Sequence, residues 1–317
     1  MSRQSRLATL IRDQRFILVV LFVGINLFFG LLAPNFFAFH NYSNMLRQSA
    51  MIVITGCAAT LLMMSGNMDL STGSNVAASG LLYSYLAVAG VPLPLAGLIS
   101  VAAGSCFGLV NGFLVTRIGF PPFISSLGLM YVGRGLALAA CNGRSIREGL
   151  PPAFGDLAMN SFLGIPIPIL IVAILLAVFW VIERKTLLGK YALSIGGNKT
   201  AAEFSGINTG KIVFWLYVMV GAFAGFSGVL TASRIGAGDP RMGTGFEFDV
   251  ILAIILGGTS LSGGKGSVLG MFLGAIIVVI LGNGLGMLNV LTFWQSILKG
   301  LVLVLAIALN KGLQKTA

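Results

Sequence analysis

RKTLLGKYALSIGGNKTAAEFSGINTGK, residues Arg184–Lys211, is the longest polar interruption between two long apolar runs of the chain. The runs on either side, Ile167–Ile182 and Ile212–Ala232, are each long enough as helices to cross most of a hydrocarbon core. The interruption carries Arg184, Lys185, Lys190, Lys199 and Lys211, against Glu183 at its edge and Glu203 inside it. Within it, Thr200-Ala201-Ala202-Glu203 has the spacing of a capping box, in which a hydroxyl caps the third N–H and the glutamate reaches back. Gly206 supplies a stop, because glycine tolerates the left-handed residue that follows a helix. The spacing therefore predicts one short helix with Phe204 as its largest apolar residue. Two readings are open: a rigid docking element between two spans, or a solvated loop with an incidental helix.

Composition says what kind of solvent surrounds these runs. Of 317 residues, 56% are hydrophobic and 9% charged, with a mean hydropathy of +0.96. A soluble domain carries roughly a quarter charged residues. Apolar segments near span length recur along the whole chain, which suits helices; a barrel needs short alternating strands. The expected fold class is an all-α polytopic membrane protein forming a single transmembrane domain over residues 1–317. The net charge of +11 could point to nucleic acid, but the cations stand at span ends, where they set topology. Cys57, Cys106 and Cys141 all fall in apolar runs, so inert packing is expected and a disulfide framework is not. His40 is the only histidine and is expected in a loop. The apolar run after the basic stretch Ser2–Arg15 is long enough to span, so a cleavable signal peptide is not expected.

About ten spans are expected, some broken or short: Phe16–Ala33, Ser49–Met64, Asn75–Ala89, Leu93–Val115, Pro122–Cys141, Ile167–Ile182, Ile212–Ala232, Val250–Leu261, Val268–Leu285 and Phe293–Asn310. Pro34–Leu46 is expected as a polar loop. With the N-terminus inside, thirteen of the twenty Lys and Arg residues fall inside. Five fall outside: Arg47, Arg144, Arg147, Arg234 and Arg241. That asymmetry satisfies the positive-inside rule. It places both termini and the loop 184–211 in the cytoplasm, and the loops 142–166 and 234–249 outside. Gly221-x-x-x-Gly225, Gly270-x-x-x-Gly274 and Gly282-x-x-x-Gly286 allow close helix contact.

Two stretches interrupt the apolar pattern with glycine and hydroxyl residues: Ser65–Ser74, SGNMDLSTGS, and Gly257–Ser267, GGTSLSGGKGS. Both contain Leu-Ser-x-Gly, a faint sign of an internal repeat. Broken helices at membrane depth are tolerated where they are buried or line an aqueous route. Asn67, Asp69, Ser71, Ser74, Thr259 and Ser260 are therefore the expected path residues. Asp69 has two readings, a functional carboxylate or a cap on the following helix. Arg134 is a partner for Asp69 or for a polar substrate, or a snorkelling cation. Glu247 and Asp249 read as helix-start acids. The Lys265 segment fails the phosphate-loop test: Thr259 replaces the first glycine and Gly266 follows the lysine. No catalytic or metal site is expected, and no ATP site on this chain.

Three blocks in order then resemble the permease subunits of bacterial ABC importers for simple sugars, the ribose type most closely. They are Ser65–Ser74; Gly243-Thr244-Gly245-Phe246-Glu247-Phe248-Asp249 continuing through Leu256–Leu261 to Gly263–Gly266; and Gly196-Gly197-Asn198 with Ala201-Ala202 and Ser205-Gly206-Ile207-Asn208. The resemblance covers nearly the whole chain. Asn67-Met68 and Thr72 depart from the usual residues of the first block, which bears on the substrate. The resemblance implies pairing with a second permease copy or homologue in the bacterial inner membrane. It also implies a cytoplasmic ATPase that holds ATP and Mg, and a periplasmic sugar-binding protein. The third block is similar to the family's coupling loop, which implies ATPase contact for Asn198, Thr200, Ala201, Ala202, Glu203, Phe204, Gly206 and Ile207. Competing readings are an ion-coupled secondary transporter, a permease for a nucleoside, inositol or signalling furanoside, and a membrane-embedded enzyme.

Overall fold

The computed structural model describes the backbone of residues 14–315 and the side chains of residues 18–305. The basic residues Arg3, Arg6 and Arg12, and the side chains of Arg15, Lys311 and Lys315, lie outside the described residues.

Every expected span is a helix: α1 Gln14–Leu32, α2 Phe39–Met64, α3 Thr72–Val88, α4 Leu93–Phe113, α5 Pro122–Ala140, α7 Ile167–Lys185, α10 Thr209–Ile235, α11 Phe246–Leu256, α12 Val268–Met287 and α13 Thr292–Lys315. A π-helical turn, Leu114–Ile118, continues α4. Between α5 and α7 lie the single turn α6, Asp156–Met159, and a small hairpin of β1, Ser161–Phe162, with β2, Ile165–Pro166. Among the described residues, six helices are long and apolar enough to cross a membrane: α2, α4 with its π turn, α5, α7, α10 and α12. The molecule is an all-α polytopic membrane protein.

The helices divide into a buried inner set and an outer set. Within its most apolar window α2 is 78% buried, against 22% for α4, α5 and α7. The outer helices turn large apolar residues outward, among them Leu98, Tyr131 and Ile174. Water would reject such a surface, whereas acyl chains accept it. At the centre, α10 packs against α4, α3 and α2, while α11 and α12 pack on each other and on α2.

Glycine sets the closest crossings. Gly221 and Gly225 of α10 face Gly104 and Gly108 of α4; a Cβ on Gly104 would lie 2.7 Å from the Gly225 Cα. Asn75 of α3 bridges this crossing, donating to the Gly104 carbonyl at 3.0 Å and the Gly221 carbonyl at 2.9 Å. The Gly270/Gly274 pair packs on the Gly257 and Ala253 backbone of α11. The Gly282/Gly286 pair makes no comparable approach; its nearest neighbours are the side chains of Lys299 and Gln295.

Several expectations are corrected. α2 begins at Phe39, so the loop after α1 is shorter than Pro34–Leu46, and His40 is helical, its ring 3.0 Å from the Asn44 amide. The mixed polar residues of its first turns lie on a helix whose remainder is buried, so burial farther along decides their conformation. The interruption 184–211 holds two helices, α8 Leu187–Gly197 and α9 Lys199–Phe204. Cys106 is exposed rather than buried, bonding back to the Ala102 carbonyl.

α2 also fixes the two ends of the bundle. Near its start, Arg47 donates to the Met159 carbonyl (3.1 Å). At its last residue, the Met64 carbonyl accepts from Gly264 N–H (2.9 Å). At the Met159 end, the segments 141–151 and 236–245 are tied by an Ile146–Gly238 bridge and by the Ser145 hydroxyl donating to Asp239. That hydroxyl, helped by the Arg241 N–H and the nearby Arg241 and Arg147 charges, holds the Asp239 carboxyl below its usual range.

Candidate translocation path and coupling face

α2 ends in Ser65-Gly66, with Gly66 at φ +78°. The Asn67 N–H returns to the Leu62 carbonyl and the Gly66 N–H to the Met63 carbonyl, a Schellman closure. The chain then crosses the first break and enters α3 at Thr72. Asp69 shapes this crossing. Its Oδ1 accepts from the Ser71 N–H (2.8 Å), the Ser71 hydroxyl (2.6 Å) and the Asn111 amide (3.1 Å). Ser125 of α5 donates to the Asn111 Oδ1 at 2.8 Å, so α4 and α5 both join the cluster. The Tyr217 hydroxyl of α10 donates to the Met68 carbonyl at 3.1 Å. The Asp69 Oδ2 is buried without a hydrogen-bond partner.

The cap reading of Asp69 is not the whole arrangement. It does not accept from the second or third N–H of α3; it closes a turn just before the helix. Arg134 is not its partner either. Arg134 Nη1 donates to the Pro240 and Met242 carbonyls, each at 2.8 Å, and ties α5 to the segment before α11. Glu247 and Asp249 do start α11, but Glu247 is buried against Gly73, and Asp249 pairs with Lys299 at 2.9 Å.

The second break, residues 257–267, folds on itself: Ser260 N–H donates to the Lys265 carbonyl at 3.0 Å and Ser267 N–H to Thr259 Oγ1 at 3.4 Å. Ser260 and Ser262 hydroxyls lie 3.0 Å apart. The break ends where Ser267 caps α12 by accepting from Gly270 N–H (3.2 Å). Glu183, buried at the end of α7, accepts from the Val268 N–H at 2.8 Å. A carboxylate at a helix N-terminus meets both unpaired N–H groups and the positive dipole end.

The expected path residues separate into two groups. Asn67 lines a cavity of about 650 Å³ together with Ser65, Ser262, Thr116, Asn198 and Thr209. Asp69, Ser71, Ser74, Thr259 and Ser260 are buried and do not line it. Sequence reasoning missed Asn111, Ser125 and Asn75; the available signal was a polar residue inside an otherwise apolar span.

The cavity reaches the third block, because Asn198, Lys199 and Glu203 form part of its wall. Here the capping box is corrected. Asn198, in extended backbone, is the cap of α9, its Oδ1 accepting from the Ala201 N–H at 2.9 Å. Thr200 lies inside the helix. Asparagine is at least as good a cap as threonine, and the chain leaving Gly197 already places it. Glu203 reaches forward, accepting from Thr209 Oγ1 at 2.7 Å at the start of α10. Gly206 is the stop, at φ +83°, with Ile207 N–H bonded to the Ala202 carbonyl and Gly206 N–H to the Glu203 carbonyl. Ala202 is buried, Ile207 half-buried, and Thr200, Ala201 and Phe204 exposed; Phe204 is 89% exposed.

Comparison with known proteins places this architecture. Residues 41–307 match the model of a family described as branched-chain amino acid transport system / permease component. The ribose import permease of Escherichia coli (strain K12) is 35% identical over 286 residues, 89% of this chain and 89% of that protein. The D-allose transport system permease of the same strain is 34% identical over 90% of this chain and 88% of that protein. The L-arabinose ABC transporter permease of Azospirillum brasilense is 36% identical over 93% of this chain and 86% of that protein. No solved structure matches the chain. Such coverage, about nine-tenths of the chain at this identity, means that the chain belongs to the permease-component family of ABC transporters in which these three proteins stand.

Proposed function

We propose that this chain is the membrane-spanning subunit of an ATP-driven importer for a monosaccharide of the ribose type. The observation that carries the reading is the near-full-length similarity to permeases named for ribose, allose and arabinose. The chemistry of the cavity supports it. Asn67, Asn198, Ser65, Ser262, Thr116 and Thr209 offer neutral donors and acceptors, and Lys199 and Glu203 offset each other in charge. Such a wall suits a polyol better than an ion.

In this reading ten helices cross the bacterial inner membrane with both termini in the cytoplasm. The loops 142–166 and 234–249 face a periplasmic sugar-binding protein. The chain works beside a second copy or a homologous permease, and it catalyses nothing itself. ATP and Mg belong to a cytoplasmic ATPase, on which α9 docks with Phe204 as the anchor. An exposed aromatic on a short capped helix is what an interface groove can use.

The test is reconstitution in liposomes with the ATPase and binding protein that copurify. ATP-dependent uptake of labelled ribose or a related pentose or hexose is expected. Uptake by the chain alone under an ion gradient would reject the reading. Phe204→Ala should insert normally yet recover less ATPase, because losing an interface anchor weakens association by roughly 1–3 kcal/mol. Wild-type recovery and uptake in that variant would remove the docking role from α9.

A further inference from the structure

The two breaks and the end of α8 meet main chain on main chain. Gly196 lies so close to the Met64 carbonyl that a Cβ there would overlap it; the same Cβ would stand 2.5 Å from Gly264 N and 2.9 Å from the Gly263 Cα. Gly263 in turn packs on Gly66, with its own Cβ position 2.7 Å from the Gly66 nitrogen. Gly264 packs on Gly197, and its N–H is bonded to the Met64 carbonyl at 2.9 Å. Gly66, Gly263 and Gly264 all have positive φ, at +78°, +83° and +75°, so each is also the residue its turn requires.

We infer that Gly196 is the positioning residue of a rigid joint that carries a displacement of α9 to both breaks at once. Gly196 is two residues from Asn198, the cap of α9. Asn198 alone separates α8 from α9, which leaves no loop to take up slack between the exposed helix and the joint. Side-chain packing absorbs small shifts by changing rotamer, whereas backbone pressed on backbone has no rotamer to change. Met64 is the last residue of α2 and Gly264 lies three residues before the cap of α12, Ser267. A push on α9 therefore reaches the end of α2 and the approach to α12 together, and with them Asn67 and Ser262 on the cavity wall. Methionine 64 adds to the fit, its side chain filling the space a Cβ on Gly266 would need.

The inference rests on the reading that α9 docks on an ATPase, and its test separates the two. Gly196→Ala in the complete transporter should insert and recover ATPase at wild-type yield, unlike Phe204→Ala. Uptake should fall by roughly tenfold or more, as happens when a displacement on the order of 1 Å misplaces a group whose geometry sets a rate. Loss of ATPase recovery in Gly196→Ala would mean that the residue merely holds the docking loop folded, and would overturn the inference, as would wild-type uptake. A second measurement leaves the joint intact. Spin labels on Lys199→Cys and Ser262→Cys in the otherwise unaltered complex should keep one separation with and without ATP, because the joint moves as a body. A separation that changes between these states would sink the rigid joint even if Gly196→Ala fails to insert.

Discussion

Asp69 holds its turn together through one carboxylate oxygen. Three donors converge on its Oδ1, and no cation pairs with it among the described residues. Removing it strands the Ser71 backbone N–H in the interior and leaves the Asn111 amide only the Ser71 hydroxyl at 3.1 Å, and unpaired buried groups are costly. Asp69→Ala should therefore lower stability by roughly 2–3 kcal/mol, while Asp69→Asn, which keeps the accepting oxygen, should stay within about 1 kcal/mol of wild type. Thermal unfolding of the detergent-solubilised protein separates these outcomes. Equal losses in both variants would mean that the charge, and not the acceptor, holds the turn. Asp69 stood out in the sequence because a carboxylate between apolar spans is conspicuous. Its partners did not, because Asn111 and Ser125 lie 42 and 56 positions along the chain and only folding brings them together.

At the scale of elements, the sequence made the helices legible and their ends less so. Each span is an apolar run bounded by glycine, proline or charge, and those boundaries survive as Pro92, Pro121 and Pro166 before α4, α5 and α7. The start of α9 was misplaced because Asn198 and Thr200 are both competent caps two residues apart; Asn198, in extended backbone just after α8, is the one whose side chain accepts from the Ala201 N–H. The start of α12 depends on a residue that no local pattern reveals. Glu183 caps it from the end of α7, 85 positions away. Glu183→Gln keeps an acceptor and should cost about 1 kcal/mol, whereas Glu183→Ala should cost roughly 2–3 kcal/mol by leaving the Val268 N–H buried and unpaired. Hydrogen exchange across residues 257–270 should rise in the alanine variant before the rest of α12 responds. Unchanged protection there would mean that Ser267 alone suffices as the cap.

For the whole molecule, orientation is testable at two exposed positions, one between α5 and α7 and one on α8. Arg147→Cys should label from outside intact cells and Lys190→Cys only after permeabilisation; the reverse pattern would invert the topology argued from the charge asymmetry. Charge counting bears on orientation because insertion reads cations locally. It could not reach the packing of α4 on α10, since Gly104 and Gly108 carry no pattern that names Gly221 and Gly225 as their partners. That crossing limits how the protein can diversify. With main chain touching main chain at both levels, no residue larger than glycine fits any of these positions without parting the helices. Relatives that handle different cargo would then have to change at other places, and this pair of helices would be inherited almost as one fixed part.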